Sequence, residues 1–331
     1  MNLSKPISTR FLELDALRGL WVVSVMLTHY TTIFALSFPH LSRPLFYFPW
    51  LAYRIQFFCM ISGFVIAKTV DKKTNVAEFI ISRFLRLYPA YVVAVIVDLI
   101  LIVLSTHSLQ KTALLGALVN LTMLQAWFNV PLIDNSFWFL APLVSFYALI
   151  CLLLLFNKFQ HIESIGMLGL IVMFFNYIHW PAFIVDSELL FFWHSFYAGI
   201  IFYYLKSRGD AWHRHAALAL CFIVQNLISD DFTSVLSLAG CLILFYLFIY
   251  GKLKWIINKP LLFLGSISYC LFLINFNLGF FIIRKLYAFG AGAWLRLMVP
   301  VAISILVATI MTYWIELPVI AYVRKSFFSR S

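Results

Sequence analysis

The chain has 331 residues, of which 63% are hydrophobic and only 11% are charged. Because a soluble domain is about half apolar and about a quarter charged, this composition excludes a soluble enzyme, a disordered protein and a DNA-binding module. Long apolar runs indicate a polytopic helical membrane protein. The net charge of +11 then reflects the basic cytoplasmic loops of such proteins, and no nucleic-acid partner is expected.

Eleven apolar stretches have about the length that a helix needs to cross a bilayer. The stretch at 113–130 is the most polar, and we expect it to be re-entrant or to lie along the outer surface. The other ten are predicted to span near 17–36, 48–69, 87–105, 137–156, 164–180, 188–205, 213–228, 234–250, 261–283 and 295–315.

Loop charge supports this assignment. With ten spans and the N-terminus inside, 18 of the 24 Lys and Arg residues lie inside, whereas an eleventh span at 113–130 would leave only 11 inside. Cytoplasmic loops are enriched in Lys and Arg. We therefore predict an all-α membrane protein with about ten transmembrane helices, both termini cytoplasmic, and one membrane-embedded domain over 1–331.

The first apolar stretch follows a basic N-terminus and ends near a signal-peptidase-like sequence, Ala35-Leu36-Ser37. It is long for a signal-peptide core and contains His29. We therefore predict that it is retained as the first helix.

The five cysteines all lie in apolar stretches, and no CxxC spacing occurs. This pattern is typical of small buried side chains, so neither a disulfide nor a metal site is expected.

Among the polar residues inside predicted spans, the main candidates are His29, Arg54, Asp98 and His194. Polar side chains in a membrane are costly and are candidates for function. Because Arg54 and Asp98 have opposite charge and similar predicted depth, we hypothesise that they pair, either as a structural contact or as part of an acceptor path.

The first helix carries a second polar pattern. Arg18 and His29 are eleven residues apart, which is three helical turns and about 20° more, so they share one face about 16 Å apart. Asp15 lies three residues before Arg18 and can pair with it at the cytoplasmic edge. The pattern is compatible with a structural ion pair and a structural histidine, or with a functional site.

Four sequence motifs in the same order resemble acyltransferase family 3, the integral-membrane acyltransferases of envelope sugars. The first is the run from Leu14 to Leu20 that leads to His29. The others are Phe57–Phe64 (FFCMISGF), Phe79–Pro89 (FIISRFLRLYP), and Glu316-Leu317-Pro318 followed by Arg324-Lys325.

This resemblance implies roles for particular residues. His29, with Arg18 and Asp15, would be catalytic, either as a base or as an acyl carrier. Arg83 and Arg86 would bind the phosphates of a cytoplasmic acyl-CoA; otherwise they are ordinary basic loop residues near lipid headgroups. Further polar candidates are Arg54, Asp98, Asn275 and Glu316.

The sequence also departs from the family pattern. Leu143 and Val144 occupy two positions that are usually acidic, while Asn275 and Asn277 replace a His and a Pro. Asn275 can hydrogen-bond a substrate but cannot act as an acid or base. These departures put acceptor choice, and catalysis itself, in question.

Outer loops are expected to hold carboxylates, together with aromatic side chains that suit a sugar. An interfacial aromatic belt explains most of these aromatic residues. The carboxylates are Asp134, Asp186, Glu188, Asp230 and Asp231.

The sequence therefore predicts a membrane O-acyltransferase, with acetyl-CoA as co-substrate and no permanently bound cofactor or metal. The acceptor would be a hydroxyl of a lipopolysaccharide or exopolysaccharide sugar, or of a lipid-linked sugar. Membrane lipids are further expected partners, since the protein would lie in a bacterial inner membrane. The alternatives are a non-catalytic transporter or flippase and another acyltransferase family with an intramembrane histidine. No matching pair of broken half-helices supports a transporter, and the ordered motifs disfavour the other family.

Overall fold

The computed structural model describes residues 11–41, 55–71, 75–106, 111–178, 188–229 and 231–328. Within these ranges the protein is helical and contains no β-strand. The helices are α1 (Leu12–Ser37), α2 (Ile55–Val70), α3 (Val76–Thr106), α4 (Lys111–Leu121), α5 (Leu140–Leu155), α6 (Ile162–Tyr177), α7 (Glu188–Arg208), α8 (Trp212–Ile228), α9 (Phe232–Ile249), α10 (Lys259–Ser266), α11 (Ser268–Ala288), α12 (Ala293–Ile310) and α13 (Leu317–Phe328).

Side-chain caps fix where several helices begin. The Asp231 carboxylate accepts the N–H of Thr233 at the start of α9. The Asn258 side chain accepts the N–H of Leu261 at the start of α10, where a proline occupies the first turn. Short polar side chains satisfy the amide groups that a helix start leaves without partners.

Seven helical segments of the described chain are long and apolar enough to cross a membrane, which confirms a helical membrane protein. The predicted spans 188–205 and 213–228 form α7 and α8, and neither helix is among the seven. The predicted span 48–69 corresponds to α2, a shorter apolar helix, and residues 48–54 of that span lie outside the described residues. The count of ten and the side of each terminus therefore stay predictions. The seven are Leu12–Ser37, Val76–Ser105, Asn135–Leu155, Phe159–Tyr177, Phe232–Ile249, Ser268–Ala288 and Ala293–Val323.

The polar stretch at 113–130 does not form a long helix. Helix α4 has 11 residues and is about 16 Å long, well short of the roughly 30 Å of a bilayer core. The chain then turns back, with Met123 and Asn129 in the left-handed region. The Asn120 amide fixes the segment that follows this turn by donating to the Pro131 carbonyl at 3.0 Å. This geometry agrees with the prediction that the segment does not cross.

Glycines allow α2 and α7 to touch backbone to backbone. A Cβ added at Gly63 would lie 2.0 Å from the carbonyl oxygen of Phe196, and one at Gly199 would lie 2.0 Å from that of Met60. Small residues at such crossings permit the close packing on which helix association in lipid depends. Gly19 and Gly265 bring α1 against α10 in the same way.

The two ends of the bundle can be told apart by their contacts. At one end, which we call the Arg18 end, the ammonium groups of Lys68 and Lys206 lie over the Phe11 ring. Arg208 pairs there with Asp71 at 2.9 Å. At the opposite end, Arg284 lies over the Phe38 ring, where α1 finishes.

Large aromatic side chains are exposed at both ends, as expected where a membrane surface meets water. Trp212 and Trp255 lie in segments of the Arg18 end, and Phe289 and Trp294 lie beside the turn that joins α11 to α12. The cysteines are free thiols, and four of the five are buried.

Candidate active site

His29 lies at a local change of helical pitch. Within α1, residues His29–Ile33 form a π-helical turn, and the α-helix resumes at Phe34. Single π turns inside α-helices often mark functional sites, because the extra residue must be stabilised by something other than the helix itself. The predicted catalytic residue is therefore the first residue of a distorted turn.

The amide oxygen of Asn275 contacts a ring nitrogen of His29. His29 Nδ1 lies 2.5 Å from Asn275 Oδ1. Asn275 Nδ2 donates to the carbonyls of Leu271 at 2.9 Å and Phe272 at 2.8 Å. Because the NH₂ group has these two acceptors, the amide oxygen is the atom that faces the imidazole.

His29 lines a cavity of about 400 Å³, which we call the His29 cavity. Its wall combines the polar groups of Asn135 and Ser136 with the rings of Trp138 and Phe276. Phe276 contacts the imidazole edge to face, with ring centroids 5.1 Å apart. Hydroxyl, amide and aromatic groups of this kind can hold a polar ligand with a ring face, such as a sugar.

A second cavity, of about 130 Å³, is lined by three arginines and is called the Arg cavity. Arg18 comes from α1, while Arg83 and Arg86 come from the first turns of α3. Its polar lining is completed by two tyrosines and two serines: Tyr147, Tyr269, Ser62 and Ser268. Guanidinium groups that converge on one cavity are suited to a ligand with several phosphates, because each offers a planar fork of donors.

The three arginines differ in their partners. Arg18 lies 3.7 Å from Asp15, the helix-edge pair that the sequence predicts. Arg86 pairs with Glu316. Arg83 donates to the neutral Thr69 hydroxyl at 2.7 Å and lies over the Phe79 ring. These contacts leave Arg83 as the cation whose charge is least compensated by the described residues.

Glu316 supports Arg86. It ends a second π-helical turn, Met311–Glu316, between α12 and α13, and it is 1% exposed. Besides Arg86, its carboxylate accepts the Cys270 thiol at 3.3 Å. Because both of these contacts are with protein groups, we assign Glu316 the role of positioning Arg86.

Phe272 separates the two cavities, since its ring belongs to the wall of both. It packs against Phe58 and Phe139, with ring centroids 6.3 and 5.9 Å away. Phe272 is therefore the partition between the Arg cavity and the His29 cavity, and Phe58 and Phe139 support it from the Arg cavity.

Asp134 corrects the expectation of an exposed outer carboxylate, because it is fully buried. Its Oδ1 accepts the N–H and the hydroxyl of Ser136, both at 2.6 Å, and its Oδ2 accepts the N–H of Asn277 at 3.0 Å. The Asn277 amide also donates to Asp98 Oδ1 at 3.1 Å. Asp134 therefore shapes the wall that presents Ser136 to the His29 cavity.

The hypothesis that Arg54 pairs with Asp98 stays untested, because Arg54 lies outside the described residues. Asp98 is buried, and its described hydrogen-bond partner is an amide. His194 is buried too, and neither ring nitrogen has a hydrogen-bond partner within the described residues.

The structure thus divides the predicted residues between two cavities. Asp15, Arg18, Arg83, Arg86 and Glu316 gather at the Arg cavity, whereas His29 and Asn275 meet at the other. Sequence reasoning missed Phe272, Tyr147 and Ser136. Nothing in their local sequence marks them, because an aromatic or a serine in an apolar helix usually only packs.

Comparison with known proteins adds one match. The model of acyltransferase family 3, described as an acyltransferase domain, matches residues 11–315. No curated protein and no solved structure matches the chain.

Proposed function

Because the chain belongs to acyltransferase family 3, we propose that this membrane acyltransferase moves a short acyl group, acetyl from acetyl-CoA, to a sugar hydroxyl. The acceptor would be a lipopolysaccharide or exopolysaccharide, free or lipid-linked. The observation that carries the proposal is the pair of cavities that meet at Phe272, one with three arginines and one with His29.

The Arg cavity would take the donor. Coenzyme A carries a diphosphate and a further phosphate, and Arg18, Arg83 and Arg86 offer three guanidinium groups to them. Acetyl-CoA is a co-substrate in this proposal, and no permanently bound cofactor is required. The thioester end of the pantetheine arm would reach His29 by passing the Phe272 ring.

His29 Nε2 supports two routes. As a base, it takes the proton of the acceptor hydroxyl while that oxygen attacks the thioester carbonyl; the C–S bond breaks, and the leaving thiolate takes the proton back from Nε2. As a carrier, Nε2 attacks the carbonyl and releases the thiolate. The hydroxyl then attacks the acyl-histidine, the N–C bond breaks, and the hydroxyl proton passes to the thiolate. Both routes yield an ester and free coenzyme A.

We further propose ten membrane crossings with both termini and the Arg18 end in the cytoplasm of a bacterium, the membrane being its inner membrane. The clustering of cations at the Arg18 end supports this orientation, because positive charge favours the cytoplasmic side. A reporter fused after Ser331 should be active only if it senses the cytoplasm; periplasmic activity would reject the orientation. The described cations at that end include Lys68, Arg83, Arg86, Lys206, Arg208 and Arg214.

The deciding experiment measures transfer of labelled acetyl from acetyl-CoA into envelope glycans by membranes that hold equal amounts of each variant. Wild-type protein should transfer, His29→Ala should not, and the exposed His161→Ala should match wild type. Transfer that persists in the His29 variant would reject catalysis by His29. Loss of transfer in the His161 variant would show that the effect is not specific to His29, and would reject that conclusion too.

A transporter or flippase is the second candidate. It is favoured by Leu143, which lines the Arg cavity at a position where the family resemblance leads one to expect a carboxylate. Absence of transfer by wild-type membranes that contain the host's glycans, combined with movement of a labelled lipid-linked sugar, would establish that function instead.

A further inference from the structure

We propose that Asn275 is a positioning residue that holds His29 as the Nδ1–H tautomer, so that Nε2 is the nitrogen that acts on the substrate. This inference rests on the proposed function of the His29 cavity. It goes further by assigning the reactive atom and by giving a role to the asparagine that stands where the family resemblance leads one to expect a histidine.

The first step concerns the amide itself. Asn275 is completely buried, so its orientation is set by protein groups and not by solvent. Its Nδ2 has two acceptors, at 2.9 and 2.8 Å, one turn back along α11. A flipped amide would place its oxygen against two carbonyl oxygens and its NH₂ against the imidazole, and this arrangement is unfavourable at both ends.

The second step concerns the imidazole. A neutral histidine has one donor and one acceptor nitrogen, and the tautomer is set by the hydrogen bond that one of them makes. With Asn275 Oδ1 as the acceptor 2.5 Å from Nδ1, the proton must sit on Nδ1. The lone pair that a base or a nucleophile needs is then on Nε2, while the ring itself belongs to the wall of the His29 cavity.

The third step compares the asparagine with an ionised partner. An amide oxygen is a neutral acceptor, so it orients the ring without strongly stabilising the protonated imidazolium. A carboxylate at the same place would stabilise the charged form. Asn275 therefore orients the His29 ring without placing a charge beside it.

A direct test uses wild-type protein alone. With ¹⁵N-labelled histidine, the signals that disappear in His29→Ala belong to His29. We expect a protonated, pyrrole-type shift at Nδ1 and an unprotonated, pyridine-type shift at Nε2 at pH 8. The reverse assignment would overturn the proposal, whether or not transfer is detected.

Variants give the second test, through the pH profile of acetyl transfer. Asn275→Leu should lower maximal transfer by about 10- to 100-fold, as for loss of one buried hydrogen bond that fixes a reacting group, and should move the acidic limb to lower pH. Asn275→Asp keeps an acceptor and should retain more transfer, with the acidic limb moved to higher pH because its charge favours the imidazolium.

If Asn275 had a purely structural role, Asn275→Leu would lower the amount of folded protein but would not move the acidic limb of the pH profile. Unchanged rate and profile in Asn275→Leu would overturn the proposal. Failure of wild-type transfer would instead reject the proposed function, and the ¹⁵N result would still decide the tautomer.

Discussion

The ion pair between Arg86 and Glu316 predicts an asymmetric response to mutation. The Glu316 side chain is 1% exposed, whereas that of Arg86 is 32% exposed, at the Arg cavity. Removing the arginine leaves a buried carboxylate whose other described partner is the Cys270 thiol. Removing the carboxylate leaves a guanidinium group that stays in contact with water. Arg86→Met should therefore destabilise the protein more than Glu316→Gln does.

The magnitude follows from the burial of Glu316. Breaking a buried ion pair by removing one partner costs about 3–5 kcal/mol when the group that remains is a buried charge, so Arg86→Met should destabilise the protein by about that amount. Glu316→Gln keeps an oxygen acceptor and leaves only a partly exposed cation without its partner, so it should cost about 1 kcal/mol.

Thermal unfolding of purified protein, followed by the fluorescence of its 10 tryptophans, measures this difference in the absence of acyl-CoA, so that donor binding does not contribute. The double variant Arg86→Met with Glu316→Gln should recover most of the loss, because it leaves no unpaired charge. A penalty for Glu316→Gln that equals or exceeds that of Arg86→Met would refute the reasoning.

Three other variants test packing, donor binding and the partition. Gly63→Ala forces α2 and α7 apart and should abolish the monodisperse peak in size-exclusion chromatography. A Cβ added at Gly240 has no neighbour within 4 Å, so Gly240→Ala should leave the stability unchanged or raise it by up to about 1 kcal/mol. Arg83→Gln should raise the KM for acetyl-CoA about tenfold with little change in kcat, while Arg208→Gln, which lies outside the Arg cavity, leaves KM unchanged. Phe272→Ala should join the two cavities and raise acetyl-CoA hydrolysis several-fold without glycan; an unchanged ratio of hydrolysis to transfer would contradict a partition.

Much of the architecture could be predicted because each apolar run forms a helix whose position depends on local composition. The same locality explains the prediction of the Asp15–Arg18 pair, since both residues lie on one helical turn. Asp134 shows the limit. The residues around Asp134 predict an outer turn. Only the folded chain brings the N–H of Asn277, 143 residues later, to its carboxylate.

The reactive site shows the same limit more sharply. Spacing along α1 places His29 deep in the first helix, but its partner Asn275 is 246 residues away. Sequence comparison identified Asn275 as a missing histidine and therefore as a possible loss. In the structure the Asn275 oxygen contacts His29 and its NH₂ group bonds to two carbonyls of α11, so this departure from the family pattern leaves His29 with a hydrogen-bond partner.

The π-helical turn at His29 is held by α11 from two levels. Asn275 contacts the imidazole. One turn further along α11, Gly279 leaves space for the ring of the next residue, Tyr30, because a Cβ at Gly279 would lie 2.0 Å from that ring. The Tyr30 hydroxyl also bonds to Ser304 of α12 at 2.7 Å. Consecutive residues of the turn are thus fixed by two different helices. Since the turn has poorer hydrogen-bond geometry than an α-helix, these contacts stabilise it, and the direction of the His29 ring depends on the seating of α11 against α1.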